Sequence, residues 1–113
     1  MAEKRDIKRH KKRLTVRFGI DLPTRVAYTE DLSVNGLFIK THYISPPGTR
    51  LQIELTLPNN DSVYFEGMVR WTKKAPPQLI HISIKCGMGV QITQFITGEA
   101  NYQHFIVEMQ KRL

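Results

Sequence analysis

The sequence predicts a mainly β protein: a small antiparallel barrel of six or seven strands, with a C-terminal α-helix and a flexible basic arm at the N-terminus. Three observations predict this fold class. Apolar side chains recur at every second position in several short runs, as they do in half-buried strands. Clusters of proline, glycine, asparagine and aspartate separate these runs. The apolar period lengthens to that of a helix only after residue 98, and many short strands followed by one helix favour a barrel.

The N-terminal segment differs from the rest of the chain. Residues 1–12 have no apolar periodicity, and Met1 and Ile7 are their only large apolar side chains. Strict alternation of apolar and polar residues begins at Leu14 and continues to Ile20, which indicates the first strand. We therefore interpret residues 1–12 as a flexible basic arm and residues 13–113 as the barrel with its helix.

The later elements follow from the same patterns. Strands are expected at residues 25–29, 37–40, 51–57, 63–71, 80–84 and 90–93. Near the C-terminus, a stripe with helical spacing is formed by Tyr102, Phe105, Ile106, Met109 and Leu113. Glu99 near the start of this helix and Lys111 near its end suit the helix dipole. We expect the helix to cover an open end or a face of the barrel.

Length and charge restrict the class of function. At 113 residues the chain is one domain by size, and its net charge is +7. Eight basic residues and two acidic ones stand among the first 17 residues, which carry +6, so residues 18–113 carry only +1. A basic arm on a nearly neutral body predicts an anionic partner for the arm. A solvated tail that aids solubility is the alternative interpretation.

Other classes find no support in the sequence. No apolar run reaches 18 residues, so no membrane span is expected, and the N-terminus lacks the apolar region of a secretory signal. Cys86 is the only cysteine, which rules out an internal disulfide and is compatible with a cytoplasmic location; we interpret it as a small apolar residue. The four histidines have no metal-ligand spacing, and no nucleophile motif is present. We therefore expect no enzyme, no metal and no cofactor.

Two short motifs flank the first strand. Arg9 and Arg13 stand four residues apart directly before it, and DLSVNG, with Asp31, Ser33 and Gly36, begins eighteen residues after Arg13. Guanidinium forks bond guanine O6 and N7 or bridge phosphate oxygens, and a carboxylate accepts from guanine N–H groups. The serine would add a hydroxyl, and the glycine would let the backbone approach a ligand. A local turn held by Asp31 and Ser33 is the purely structural interpretation of the second motif.

In order and spacing, these motifs resemble those of the PilZ domain family, whose members bind the bacterial second messenger cyclic di-GMP. GMVRW at residues 67–71, GMGVQI at residues 87–92 and the terminal helix resemble the later part of that family, so the likeness covers residues 5–113. The resemblance implies a cytoplasmic cyclic di-GMP receptor that is not an enzyme. It also implies an unidentified effector protein, which would recognise the arm once the arm has closed over the ligand.

Carried over residue by residue, the resemblance assigns ligand binding to Arg9, Arg13, Asp31, Ser33 and Gly36. Arg5 and Arg9 also stand four apart. We prefer the later pair because the family's second arginine lies at the start of the first strand, and Arg5 is then an auxiliary contact. Asn35 stands where many family members have a second glycine, and asparagine tolerates the left-handed backbone region.

Two other functions stay open at this point. A small β-barrel with a basic arm can bind nucleic acid by stacking bases on aromatic side chains, for which the candidates are Tyr28, Phe38, Tyr43 and Tyr64. A family member that has lost the ligand and binds only proteins is the second, although the intact motifs argue against it. Trp71 is interpreted as a core or barrel-edge residue, which can stack on a base only if it lies near the site.

Overall fold

The computed structural model describes residues 9–74 and 86–111, where a seven-stranded antiparallel sheet curves into a barrel. The elements are β1 (His10–Lys11), β2 (Thr15–Gly19), β3 (Arg25–Ser33), β4 (Gly36–Lys40), β5 (Arg50–Thr56), β6 (Ser62–Lys73), β7 (Gly87–Thr97) and α1 (Glu99–Lys111). The predicted fold class, an antiparallel barrel with a C-terminal helix, is confirmed. The strand expected at residues 80–84 lies outside the described residues.

The barrel closes because β3 pairs along both of its edges. Six strands follow one another in the order β3–β2–β5–β6–β7–β4, and β4 returns to pair with β3. The seventh strand, β1, uses the same edge of β3 as β2 but lies further along it, with His10 opposite Leu32 and Lys11 opposite Asp31. Pairing therefore starts inside the segment that the sequence assigns to the arm, because the backbone there finds partners on β3.

Alternation along the strands builds the core. On β5, Leu51, Ile53 and Leu55 are at most 1% exposed, and Val63 and Phe65 on β6 are fully buried opposite them. Burial of one such side chain stabilises the fold by about 1.5–3 kcal/mol, so the interior of the barrel supplies most of the stabilisation. The polar residues between them face outward, which leaves the outer surface of the barrel for binding.

Helix α1 packs against the barrel with the stripe that its sequence predicts. Tyr102 and Ile106 are buried, and Phe105 and Met109 are partly buried against the core. The helix begins directly after Gly98, whose φ of 87° lies in the left-handed region that favours glycine. Leu113 lies outside the described residues, and no described helix is long and apolar enough to cross a membrane.

Strand boundaries differ from the sequence prediction around the DLSVNG motif. Asp31 and Ser33 belong to β3, which continues four residues beyond the predicted end, and Gly36 begins β4 directly opposite Ser33. Only Val34 and Asn35 form the turn. The polar residues do not end the strand because β1 and β4 continue the hydrogen-bond ladder on both of its edges. Strand β7 is likewise longer than predicted and spans Gly87–Thr97.

Candidate functional site

One row of side chains crosses the outer face of four neighbouring strands. Phe38 alternates with core residues of β4 and therefore points away from the interior. In the register of the sheet, Asp31 lies opposite Phe38, Phe38 opposite Gly89, and Gly89 opposite Trp71. We refer to Asp31, Phe38, Gly89 and Trp71 as the outer row. It brings the carboxylate of the DLSVNG motif onto the same surface as the only tryptophan.

The tryptophan of the outer row forms an aromatic plane on this surface. Its ring stacks on Phe38 with centroids 5.2 Å apart and an interplanar angle of 29°. A Cβ on Gly89 would lie 2.2 Å from the indole, so the glycine provides the space in which the ring lies. Phe38 is 1% exposed, whereas Trp71 remains 43% exposed. Trp71 is thus a surface residue of this face, and the interpretation of it as a core residue is wrong.

Arg9 and Asp31 form an ion pair at one end of the outer row. The Arg9 Nη1 atom donates to Asp31 Oδ1 at 2.7 Å, and the two side chains are 47% and 19% exposed. Ion pairs with this much exposure contribute about 0–1 kcal/mol, so a ligand can open or share the contact at little cost. The structure therefore brings together one residue from each of the two predicted motifs, while Arg5 lies outside the described residues.

Arg13 lies over a different part of β3, the strand that carries Asp31. Its guanidinium carbon is 4.0 Å from the ring centroid of Tyr28, so the cation lies over the aromatic ring. Tyr28 and Asp31 lie opposite Lys40 and Phe38, which are two residues apart on β4, so the two arginines contact places about 7 Å apart. Tyr28, which was proposed above only as a base-stacking residue for nucleic-acid binding, therefore lies beside a predicted ligand-binding arginine.

Ser33 and Gly36 shape the turn beside the ion pair. Ser33 is 1% exposed, its hydroxyl donates to the Gly36 carbonyl at 3.2 Å, and its own carbonyl accepts from the Tyr102 hydroxyl at 2.6 Å. The hydroxyl therefore faces into the turn rather than outward. Direct contact of Ser33 or Gly36 with a ligand stays a prediction.

The backbone of this turn differs from the expectation for Asn35. Among the described residues, Asn60 is the only non-glycine with a positive φ, so Asn35 is not in the left-handed region. Gly36 does not have a positive φ either. A Cβ on Gly36 would instead lie 2.6 Å from the carbonyl oxygen of Val90. The glycine is required because β4 and β7 approach each other closely at this point.

Replacing Gly36 with alanine is expected to destabilise the fold by about 1–3 kcal/mol, because the added methyl group forces β4 away from the β7 backbone. Thermal denaturation measures this loss as a lower Tm. The neighbouring Asn35→Ala variant is the control and should change the Tm much less, since Asn35 lies in the exposed turn. Equal Tm values for the Gly36→Ala variant and the wild type would contradict the close-packing role of Gly36.

The other polar groups of the described residues include a contact between a cysteine and a histidine. No cluster of three or more metal-ligating side chains occurs among them. Cys86 is buried as predicted, but its Sγ atom also lies 3.1 Å from Nδ1 of His42. His81 lies outside the described residues. The outer row itself offers hydrogen bonding, charge and an aromatic surface for stacking.

The aromatic side chains proposed for nucleic-acid stacking do not form a common platform. Tyr28 lies under Arg13, and Tyr43 lies under the guanidinium of Arg25 at 3.9 Å. Phe38 is covered by Trp71. The Tyr64 hydroxyl donates to Glu54 at 2.9 Å, and this hydrogen bond raises the pKa of the tyrosine above its ordinary value. Each of these aromatic side chains thus contacts a different neighbouring residue.

Fold and face together define a small closed β-barrel whose outer surface carries an ion pair and an exposed aromatic ring. The PilZ domain family matches residues 3–106, and the chain belongs to this family. PilZ domains are binding domains rather than enzymes.

The solved structures that are similar to the chain include two proteins from different bacteria. The Bacillus subtilis inhibitor of motility, MotI/DgrA, is 16% identical with a TM-score of 0.77; the match covers 98% of this chain and 53% of that protein, so the chain spans about half its length. The PilZ domain of YcgR from Escherichia coli, solved with cyclic di-GMP, is 14% identical with a TM-score of 0.60, and the match covers 97% and 94%. At these identities the likeness shows the fold. None of the curated proteins compared with the chain matches it.

Proposed function

We propose that this domain is a cytoplasmic receptor for cyclic di-GMP. The observation that carries the proposal is the contact of Arg9 with Asp31 at 2.7 Å at the end of a row that also exposes Trp71. A guanidinium fork, a carboxylate and an aromatic plane on one surface suit the acceptor edge, the donor edge and the face of guanine. Membership of the PilZ family and the cyclic di-GMP in the YcgR domain support the same ligand.

Each residue has a role that follows from its chemistry. Asp31 accepts hydrogen bonds from the N–H groups of guanine, and Arg9 donates to O6 and N7 or to a phosphate. Arg13, which lies over the ring of Tyr28, bonds phosphate or stacks on a base. Trp71 offers its exposed face to a base. Ser33 and Gly36 hold the turn that positions Asp31 and contribute any direct contact through their polar or backbone atoms.

Cyclic di-GMP should bind far more tightly than cyclic di-AMP, because adenine presents an amino donor where guanine presents the O6 acceptor. A site built to hydrogen-bond one pattern discriminates strongly against the other. Isothermal titration calorimetry with both dinucleotides under the same conditions measures the difference. Equal affinity for the two, or binding of neither, would exclude the proposed function.

We further propose that the arm transmits the signal to an effector protein. Strand β1 is joined to β3 by only two residue pairs, and the Lys12 amide adds one bond to the Glu30 carbonyl at 3.1 Å. A ladder this short opens at low cost. A ligand that bonds Arg9 and Asp31 together links β1 to β3 through its own atoms. The arm then presents a lasting surface that an effector can bind, and no new strand has to form.

Amide hydrogen exchange tests this mechanism. Saturating cyclic di-GMP should slow the exchange of the arm amides, notably that of Lys12, which bonds across to β3. The amides of β5 serve as the internal reference and should not change, because this strand is already held on both edges. If the arm amides exchange equally fast with and without ligand while calorimetry shows binding, the receptor role stands and the arm mechanism is wrong.

A further inference from the structure

Two cavities of different size lie on the outer face near the ion pair of Arg9 and Asp31. The volume of the larger one is about 570 Å³, which is within the usual range of small-molecule sites, whereas the cavity between Arg9 and Trp71 measures about 120 Å³. The larger cavity, which we call the cationic cleft, lies between the arm, β3 and the end of β4. Its lining includes Lys11, Lys12, Arg13, Tyr28, Lys40 and His42.

The charge of the cationic cleft is strongly unbalanced. Among the described residues, four cationic side chains line it, and Glu30 is the only carboxylate. Glu30 lies 3.9 Å from Lys11, so part of its charge is already balanced. The other cations keep a positive potential inside a concave surface, where the low-dielectric walls concentrate it. Such a cavity favours an anion with several acceptor oxygens, and a phosphate group meets that description.

The two arginines of the N-terminal motif line different cavities. Arg9 contributes to the small cavity with Trp71, and Arg13 contributes to the cationic cleft. Their contacts on β3 are about 7 Å apart along the strand. A ligand with one anionic group would leave one of these arginines unused. A ligand with two phosphates, or two copies of a nucleotide, can occupy both cavities at once.

We propose that the cationic cleft is a phosphate-binding subsite to which Lys40 contributes its ammonium group. Lys40 belongs to neither the N-terminal motif nor the DLSVNG motif. The inference rests on the proposed function, because it assigns the cleft to a phosphate of bound cyclic di-GMP. Lys40 ends β4 opposite Tyr28 and is exposed. No ion pair among the described residues involves it. Its ammonium group is therefore available to bond a phosphate that Arg13 contacts from the other wall.

The sheet also provides a matched control. Lys73 is on the same lateral row, because Gly87 lies opposite both Lys40 and Lys73. It is exposed like Lys40, and two strand spacings, about 10 Å, separate the two positions. Lys73 is not part of the lining of the cleft. The two Lys→Gln variants remove the same charge from the same face, so they separate a direct contact from a general electrostatic effect.

Calorimetry with cyclic di-GMP on the wild type, Lys40→Gln, Lys40→Arg and Lys73→Gln tests the proposal. Lys40→Gln should weaken binding about tenfold or more through the loss of a charge-assisted hydrogen bond. Lys40→Arg should retain most of the affinity, and Lys73→Gln should stay close to the wild type. Unchanged Tm values verify that the exposed substitutions leave the fold intact.

The stoichiometry identifies the source of the phosphate. A single binding event weakened by Lys40→Gln supports the second phosphate of the same molecule. Two events, of which Lys40→Gln removes only one, support a second molecule. If Lys40→Gln and Lys73→Gln both bind like the wild type, while Asp31→Ala does not bind, the subsite is refuted and the receptor function stands. If the wild type does not bind, both proposals fail.

Discussion

Replacement of Asp31 with alanine is expected to weaken the binding of cyclic di-GMP by about ten- to a hundredfold, from the loss of charge-assisted hydrogen bonds worth about 1.5–3 kcal/mol. The substitution also removes the partner that holds Arg9 at 2.7 Å, so the arginine loses its position over the outer face. Calorimetry measures the affinity. The preference for guanine over adenine should fall as well, because Asp31 is the proposed acceptor for the guanine N–H groups.

The matched control for Asp31 is Asp21→Ala, which removes the same charge at an exposed position between β2 and β3. It should leave binding unchanged. The comparison also separates the two candidate functions, because a basic arm that binds DNA or RNA would bind equally well or better without the carboxylate at Asp31. Unaltered cyclic di-GMP affinity in Asp31→Ala contradicts the role assigned to Asp31. Duplex binding that persists at 0.2 M salt, with no dinucleotide binding, contradicts the receptor function.

The second large effect is expected at Tyr102, which joins the helix to the site. Tyr102 is fully buried, packs on Phe95 with centroids 5.7 Å apart, and donates to the Ser33 carbonyl at 2.6 Å. Tyr102→Ala should destabilise the domain by about 3–5 kcal/mol, as is usual for large aromatic residues in a core. Tyr102→Phe keeps the ring and should cost about 1–3 kcal/mol, because the buried carbonyl of Ser33 loses its partner.

Chemical denaturation of both variants measures these losses, with Val107→Ala as the control on the same helix. Val107 is 45% exposed, so its truncation should have little effect. Tyr102→Phe should also weaken cyclic di-GMP binding moderately, since Ser33 lies two residues after Asp31 on β3. Wild-type stability in Tyr102→Phe would show that the bond to Ser33 does not hold the helix on the barrel.

The same tyrosine gives the stability a dependence on alkaline pH. Burial raises the pKa of the Tyr102 hydroxyl above its ordinary value, because the folded protein disfavours the phenolate. Below about pH 10 the hydroxyl is protonated in both the folded and unfolded states, and its contribution is constant. Above that pH the unfolded chain loses the proton more readily, so stability falls as the pH rises. Tyr102→Phe lacks this contribution and should lose less stability over the same range.

The strands were predictable where a single pattern determines the outcome. Leu51, Ile53 and Leu55 alternate with polar residues, and only a strand with one buried face accommodates that order. The helical stripe of Tyr102 and Ile106 was predictable for the same reason. The two-residue strand at His10 was not, because its pairing depends on backbone partners on β3 and on no apolar pattern of its own.

The sequence identified candidate residues of the site, but it predicted their spatial arrangement only in part. The motifs identified Arg9 and Asp31 as candidates, and the structure places them in contact. Nothing in the sequence indicates which way the Ser33 hydroxyl points, because that depends on the closure of the turn by Gly36. The position of Trp71 over Gly89 depends on the register between β6 and β7, which includes irregularities on either side of Val69. Register is a property of two strands together, so neither strand alone reveals it.

The arrangement of β1 and β2 along one edge of β3 limits how another chain can add a strand to this protein. Within the described residues, β1 pairs with β3 alone, so its outer edge is open. It is two residues long and carries the exposed Lys11, a combination that disfavours unspecific edge-to-edge association. A protein that adds a strand at this edge by β-augmentation aligns next to Arg9. If the ligand and such a protein both stabilise β1 on β3, thermodynamic linkage requires that each raise the affinity of the other by the same factor.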